Sequence, residues 1–262
     1  MAWPMHSSRS KRIVREQVVG VREQVVKEQN WPGTSLLQPG PALRLVETNI
    51  SDTAARVHPR TPTRSAWHRG LKRAIDFLLA TALLVLLAPT LVVMAILIRL
   101  DSPGPFLFRQ RRLGQNGKPF KILKFRSLHV LEDGDDLTQV TKNDTRITRV
   151  GYWLRKTSLD ELPQLVNVVR GEMALVGPRP HAIVHDRLFA QQIENYELRQ
   201  LVKPGITGWA QIHGLRGETA TVEEMRKRVV FDLWYVANAS TLLDLRILLG
   251  TPREVLRQRN AH

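Results

Sequence analysis

"FLLATALLVLLAPTLVVMAILI", Phe77 to Ile98, is a run of 22 residues without a charge and with a proline near its centre. A helix rising ~1.5 Å per residue needs about 20 apolar residues to cross a ~30 Å hydrocarbon layer, so the run is long enough. Its flanks are both basic. Arg69, Lys72 and Arg73 precede it, and Arg99, Arg109, Arg111 and Arg112 follow it. From Arg99 to Arg126 there are eight Lys or Arg against one acid, Asp101, and the first seventy residues hold eleven against five. Positive flanks favour the cytoplasmic side, and a straight helix can satisfy only one of them. Pro89 offers an alternative, because it removes a backbone hydrogen bond and clashes with the preceding turn, which bends a helix. Two arms of roughly 10 residues, ~15–18 Å each, reach about half of the hydrocarbon and return. Prolines also occur in ordinary transmembrane helices, so composition leaves a crossing helix and a re-entrant hairpin both open.

The remaining composition narrows the class. A chain of 262 residues, 43% of them hydrophobic, holds one sizeable domain with appendages. It has no cysteine, which excludes a disulfide framework, a thiolate metal site and a thiol nucleophile. A net charge of +15 favours anionic partners: nucleic acid, acidic lipid headgroups or phosphorylated substrates. Neither zinc-finger spacing nor an aromatic RNA-binding signature is present. A basic chain flanking an apolar run fits a membrane surface with anionic lipids better than nucleic acid. The run begins too far from the N-terminus for an ordinary signal peptide.

Residues 1–65 lack a credible core and read as a polar, disordered leader. "VREQVVG" followed by "VREQVVK" puts Val14, Val18, Val21 and Val25 at 4-3-4 spacing, one helical stripe two heptads long. The segment with the apolar run is expected over 66–101 and a folded domain over 102–262. Within it, "FLFRQRRLGQNGKPFKILKFRSL" predicts two short strands joined by a turn. Helical patterns cover 151–170, 182–202 and 219–238, and "KPGITGWAQI" reads as a turn leading into a strand. Thr241 to Arg259 mixes leucines with basic residues, which suits either an interfacial helix or one packed on the core. The sum is an α+β fold, mostly helical.

The chemistry concentrates in a few short stretches. "TSLDELPQL", Thr157 to Leu165, sets Asp160 beside Glu161. Ser158 and Glu161 fit a capping box, which would make the acids a helix start. Capping at Ser158 puts Pro163 too deep in the helix, whereas a start nearer Asp160 puts it in the tolerated first turn. There the acids would stand where backbone N–H groups handle phosphate. A carboxylate also accepts phosphoryl groups, and an adjacent one can hold Mg²⁺. "VGPRP" fixes Arg179 between two prolines, either as a rigid surface turn or as a preset guanidinium fork for phosphate. "KFRS" adds Lys124 and Arg126 beside a hydroxyl, Arg155 precedes Asp160 by five residues, and Asp232 lies among aromatics in "FDLWYVANAS".

Taken in order, "KRAID…P…DSPGPFLFRQRRLGQNGKPFKILKFRS…RITRVGYWLRKTSLDELPQLVNVVRGEMALVGPRPH…KPGITGWAQI…FDLWYVANAS" resembles the bacterial sugar transferases, the monotopic phosphoglycosyl transferases. The likeness runs from about Arg69 to His262. "HGLRGETATVEEM" and the ending "RNAH" further resemble the undecaprenyl-phosphate glucose phosphotransferase branch, and the polar leader resembles its short exopolysaccharide-initiating members.

The resemblance implies a monotopic protein of the bacterial inner membrane, with a re-entrant helix-break-helix and a cytosolic catalytic domain. Asp160 matches the nucleophile that attacks the β-phosphate of a UDP-sugar, releasing UMP. Glu161 matches its partner acid, credited with Mg²⁺ binding. Lys124, Arg155 and Arg179 match basic positions around the nucleotide phosphates, with Arg126 beside them, and Asp232 matches an acidic position of the site. Undecaprenyl phosphate then takes the sugar phosphate. Pro89 matches the proline that bends the membrane helix, although Ala88 stands where the family often has serine. The transferred sugar is expected to be glucose, with galactose as the alternative and a non-catalytic basic membrane scaffold as the reading from another class.

Overall fold

The computed structural model of the chain describes residues 66–129, 144–217, 219 and 221–257. The expected leader over 1–65, with its heptad repeat, lies outside them. The first element is α1, Ala66–Asp101, which passes through Pro89 as one helical element and is not split there. Proline forfeits one hydrogen bond, and a 36-residue helix retains enough others to continue.

The expected strand pair follows. β1, Leu107–Leu113, and β2, Pro119–Phe125, form an antiparallel hairpin with Leu107 opposite Phe125 and Leu113 opposite Pro119. Between them Asn116 (φ 56°) and Gly117 (φ 71°) take left-handed conformations, which reverse the chain in few residues. The single helix expected over 151–170 is two. α2 spans Arg149–Thr157 and α3 spans Gln164–Arg170, separated by a 3₁₀ turn at Leu159–Glu161. Ser158 takes a left-handed φ of 62° and closes α2, its N–H donating to the Arg155 carbonyl. Its side chain caps nothing, so the capping box read from the sequence does not form.

β3, Ala174–Val176, comes next, then α4, Ile183–Gln192, and a 3₁₀ segment at Tyr196–Leu201. β4, Gly205–Thr207, pairs parallel with β3. The strand expected in "KPGITGWAQI" is thus three residues long, and Trp209–Ile212 turns into a short helix, α5. α6, Val222–Asn238, starts with a complete capping box between Thr221 and Glu224. α7, Thr241–Arg257, closes the described chain.

The core is built around β2, α3 and β3, where Ile122, Leu165, Val168, Met173, Leu175 and Val176 meet Tyr235 of α6 and Ile247 of α7. α7 packs on the core through one side. Ile247 is fully buried while Leu242, Leu245 and Leu249 stand exposed on the other side.

Both arms of α1 are fixed to this one domain. On the N-terminal arm, Arg73 donates to the carbonyls of Val168 and Val169 at 2.6 and 2.7 Å, satisfying the end of α3. Asp76 accepts from the Leu175 N–H at 3.3 Å, Lys72 pairs with Asp244 at 3.0 Å, and Ala80 enters the core. On the C-terminal arm, Ile98 packs with Phe125 and Leu154, and Asp101 accepts from the Val150 N–H at 3.0 Å at the start of α2. Between these anchors Leu78, Val85, Leu86, Val92, Val93 and Ile96 are exposed.

Candidate active site

The acid pair sits where four elements converge. Thr148 caps α2 by accepting from the Gly151 N–H at 2.9 Å. Gly151 allows that helix to press on the end of the β-hairpin, because a Cβ there would come within 2.2 Å of the Ser127 carbonyl oxygen. The left-handed Ser158 then turns the chain, so that Asp160 and Glu161 project from a single 3₁₀ turn ahead of Pro163. Asn167, fully buried in α3, accepts from the Leu123 N–H at 3.0 Å and donates to the Lys121 carbonyl at 2.8 Å. This stitch fixes the register of β2, the strand that carries Lys124, against the helix that follows the acids.

The consequence is a tight cluster. Lys124 Nζ lies 3.0 Å from Glu161 Oε1. Arg179 forks onto the same carboxylate, with Nη1 donating to Oε2 at 2.9 Å and Nη2 to Oε1. Burial pushes the Glu161 carboxyl up, but Arg179 and Lys124 overcome it and hold it well below the usual carboxylate range. Asp160 is treated differently. Burial and then the charge of Glu161 push its pKa up, opposed by Lys124, Arg155 and Arg179. Among the described residues no side chain hydrogen-bonds its carboxylate. Two neighbouring acids in one turn thus have opposite characters: Glu161 is a fixed, neutralised anion, and Asp160 is the uncommitted one.

Lys124, Arg155, Arg179, Asp160 and Glu161 are brought together as the sequence predicts. Arg126 and Asp232 are not. The Arg126 guanidinium is committed to the end of α1, donating to the carbonyls of Pro103 at 2.7 Å and Ser102 at 2.5 Å and to the Ser102 hydroxyl at 2.8 Å. It is 2% exposed and fastens the C-terminal end of α1 to β2. Asp232, also 2% exposed, pairs with Arg199 at 2.8 Å, and Arg199 in turn donates to the Arg179 carbonyl. It stands one layer behind the Arg179–Glu161 pair.

Arg216 was missed from sequence. It is half-buried, burial lowers its pKa, and the charges of Glu161, Arg179 and Asp160 all reach its guanidinium. Its only signal was its place in "HGLRGET", where a lone arginine in a polar loop carries no pattern.

A divalent ion must be judged from the donors present. Among the described residues no group of three or more His, Asp or Glu side chains could enclose a metal. Mg²⁺ commonly takes only one or two carboxylates and fills its octahedron with water and substrate phosphate. The pair fits an ion of that kind through the Asp160 carboxylate, since both Glu161 oxygens already receive Lys124 or Arg179, and does not fit one held by protein alone.

The arrangement is a buried, uncommitted carboxylate ringed by cations. That is the electrostatic inverse of a substrate carrying adjacent phosphates. The profile of the family described as bacterial sugar transferase matches residues 67–258, almost the whole described region. The chain belongs to the bacterial sugar transferase family. It is 54% identical over 187 residues to a UDP-glucose:undecaprenyl-phosphate glucose-1-phosphate transferase of Escherichia coli K12, covering 71% of this chain and 40% of that one. It is 50% identical over 191 residues to the transferase of the same description in Caulobacter vibrioides, covering 73% and 72%. It is 48% identical over 185 residues to the exopolysaccharide production protein PSS of Rhizobium leguminosarum, covering 69% and 92%. The chain therefore spans well under half of the E. coli relative and most of the other two.

Proposed function

We propose that this sugar transferase moves glucose-1-phosphate from UDP-glucose to undecaprenyl phosphate, the reaction named for its E. coli and Caulobacter relatives, through a covalent intermediate on Asp160. The observation that carries the assignment is the uncommitted Asp160 carboxylate within a ring of cations. An Asp160 oxygen attacks the β-phosphorus of the donor. The bond from that phosphorus to the bridging oxygen breaks, and UMP leaves with the electron pair, its charge met by Lys124, Arg155 and Arg179. An oxygen of undecaprenyl phosphate then attacks the same phosphorus, the acyl-phosphate bond breaks, and Asp160 returns as a free carboxylate. Glu161, neutralised by its two cations, can stand beside the diphosphate without repelling it. A Mg²⁺ ion held at this pair would supply further charge neutralisation.

The lipid acceptor requires a seat at the membrane, and the docking of α1 supports a re-entrant one. A crossing helix would carry its two ends to opposite faces of the bilayer. Here Lys72, Arg73 and Asp76 at one end, and Ile98 and Asp101 at the other, are all bonded to the same domain. Both ends then lie on the cytosolic face with the UDP-sugar, and the exposed apolar middle enters the lipid. The outward leucines of α7 add a second contact at the interface.

The test is direct. Purified protein in nanodiscs with undecaprenyl phosphate, offered a panel of UDP-sugars, is expected to release UMP and form lipid-linked glucose from UDP-glucose. No UMP and no lipid product from any sugar of the panel would overturn the assignment.

A further inference from the structure

The stretch Pro178-Arg179-Pro180 has an anchoring problem. Two of its three residues have no N–H, so its own main chain can offer only the Arg179 N–H. It is held through its carbonyls instead. Gly205 N–H donates to the Pro178 carbonyl at 2.9 Å, Arg199 Nη2 to the Arg179 carbonyl at 2.8 Å, and Arg112 Nη1 reaches the Pro180 carbonyl at 3.4 Å. The middle bond belongs to the residue whose guanidinium grips Glu161.

Arg199 is itself rigidly held. Its Nε donates to Asp232 at 2.8 Å, Nη1 lies 3.2 Å from His181 Nδ1, and the guanidinium stands 4.9 Å over the Tyr196 ring. The Arg199 and Asp232 side chains are only 5% and 3% exposed. Asp232 thus has no direct route to a substrate, yet it is two bonds from the Arg179 main chain.

We propose that Arg199 and Asp232 are positioning residues of the transfer reaction: the buried Asp232–Arg199 pair fixes the Arg179 main chain and so aims its guanidinium at the acid pair and the donor's diphosphate. Lysine cannot replace Arg199, because a single ammonium cannot bridge Asp232, the Arg179 carbonyl and the His181 ring at once. This inference rests on the proposed transfer reaction.

The experiment is a double-mutant cycle on kcat/KM for UDP-glucose, using Asp232→Asn, Arg179→Ala and the double variant. Asp232→Asn alone is expected to lose about 10-fold or more, since misaiming a charged group by a fraction of an ångström is costly. In the Arg179→Ala background the same change is expected to cost less than about 2-fold. Arg199→Lys should raise KM for UDP-glucose and weaken UMP binding by calorimetry, with KM for undecaprenyl phosphate unchanged. Arg199→Gln, which keeps an N–H₂ donor without the charge, runs the same cycle if Asp232→Asn does not fold. Losses that multiply across the cycle, or a shift in KM for the lipid, would overturn the positioning role. A wild type inactive with every UDP-sugar overturns the reaction itself, which separates the two failures.

Discussion

The two acids of the site should respond oppositely to neutralisation, although both changes should stop turnover. Glu161 receives Lys124 at 3.0 Å and both ends of the Arg179 fork. Glu161→Gln removes the counter-charge of two cations in one step. Breaking a fully buried pair costs about 3–5 kcal/mol. Here the Lys124 and Arg179 side chains remain 20% and 21% exposed, and water compensates in part, so the expected cost falls to roughly 1–3 kcal/mol. For a folded unit of this size that is a drop in Tm of about 3–10 °C. Asp160→Asn removes a carboxylate that burial and Glu161 both disfavour. Its Tm should stay level or rise, a common trade at catalytic positions.

The pH dependence gives the same sign. The depressed Glu161 pKa means that its stabilisation is present above the unfolded carboxylate range and is lost as pH falls through the folded value. The raised Asp160 pKa means that its contribution is full below that range and is lost as pH rises through the folded value. Thermal unfolding of both variants and wild type in one detergent, at neutral pH, measures the contrast, and UMP release measures activity. Equal destabilisation by the two variants, or a lower Tm for Asp160→Asn than for Glu161→Gln, would refute the division of roles.

Four further outcomes are expected. Because Asp160 must be ionised to attack and its pKa is raised, kcat/KM should fall with acidification above the ordinary carboxylate range, and Arg155→Gln should move that limb to still higher pH in a pH–rate profile. Removal of residues 1–64 should leave transfer in nanodiscs intact, since the family match begins at residue 67; a folded but inactive truncated protein would show that the leader contributes to the site. Single cysteines near residues 60 and 115 should both label from the cytosolic side, the chain having no native cysteine to interfere, and Pro89→Leu should send part of the population across the bilayer and lower activity. Replacing Leu242, Leu245 and Leu249 by glutamate should weaken liposome flotation while sparing the fold, because those side chains face away from the core.

The parts of this molecule that are legible in sequence are those where a local pattern meets a local rule. The hairpin of β1 and β2 follows from two short apolar stretches around Gly114 and Gly117, and α6 from its helical periodicity. The capping-box rule failed at Ser158, where the same S-x-x-E spacing that works at Thr221 is overridden. Pro163 forbids the helix that would use the cap, so the serine closes the preceding helix instead, in a left-handed conformation. That override puts the two acids side by side on a short turn, with neither carboxylate used as a helix cap. The local conflict in the sequence falls at the acid pair.

Arg126 and Arg179 show the other limit. Both are arginines in short, rigid segments beside apolar strands, and composition gives no means of separating them. Their fates are decided by partners far away in sequence. Arg126 meets the freed carbonyls at the end of α1, which absorb its donors; Arg179 meets Glu161, a charge that a phosphate can compete with. An arginine satisfied by main-chain carbonyls has a structural role, and one satisfied by an exchangeable carboxylate is available to an anionic substrate. Only the tertiary contacts make that distinction, and it also moves Asp232 behind the site: its partner is Arg199, whose remaining donors already hold the Arg179 carbonyl and the His181 ring.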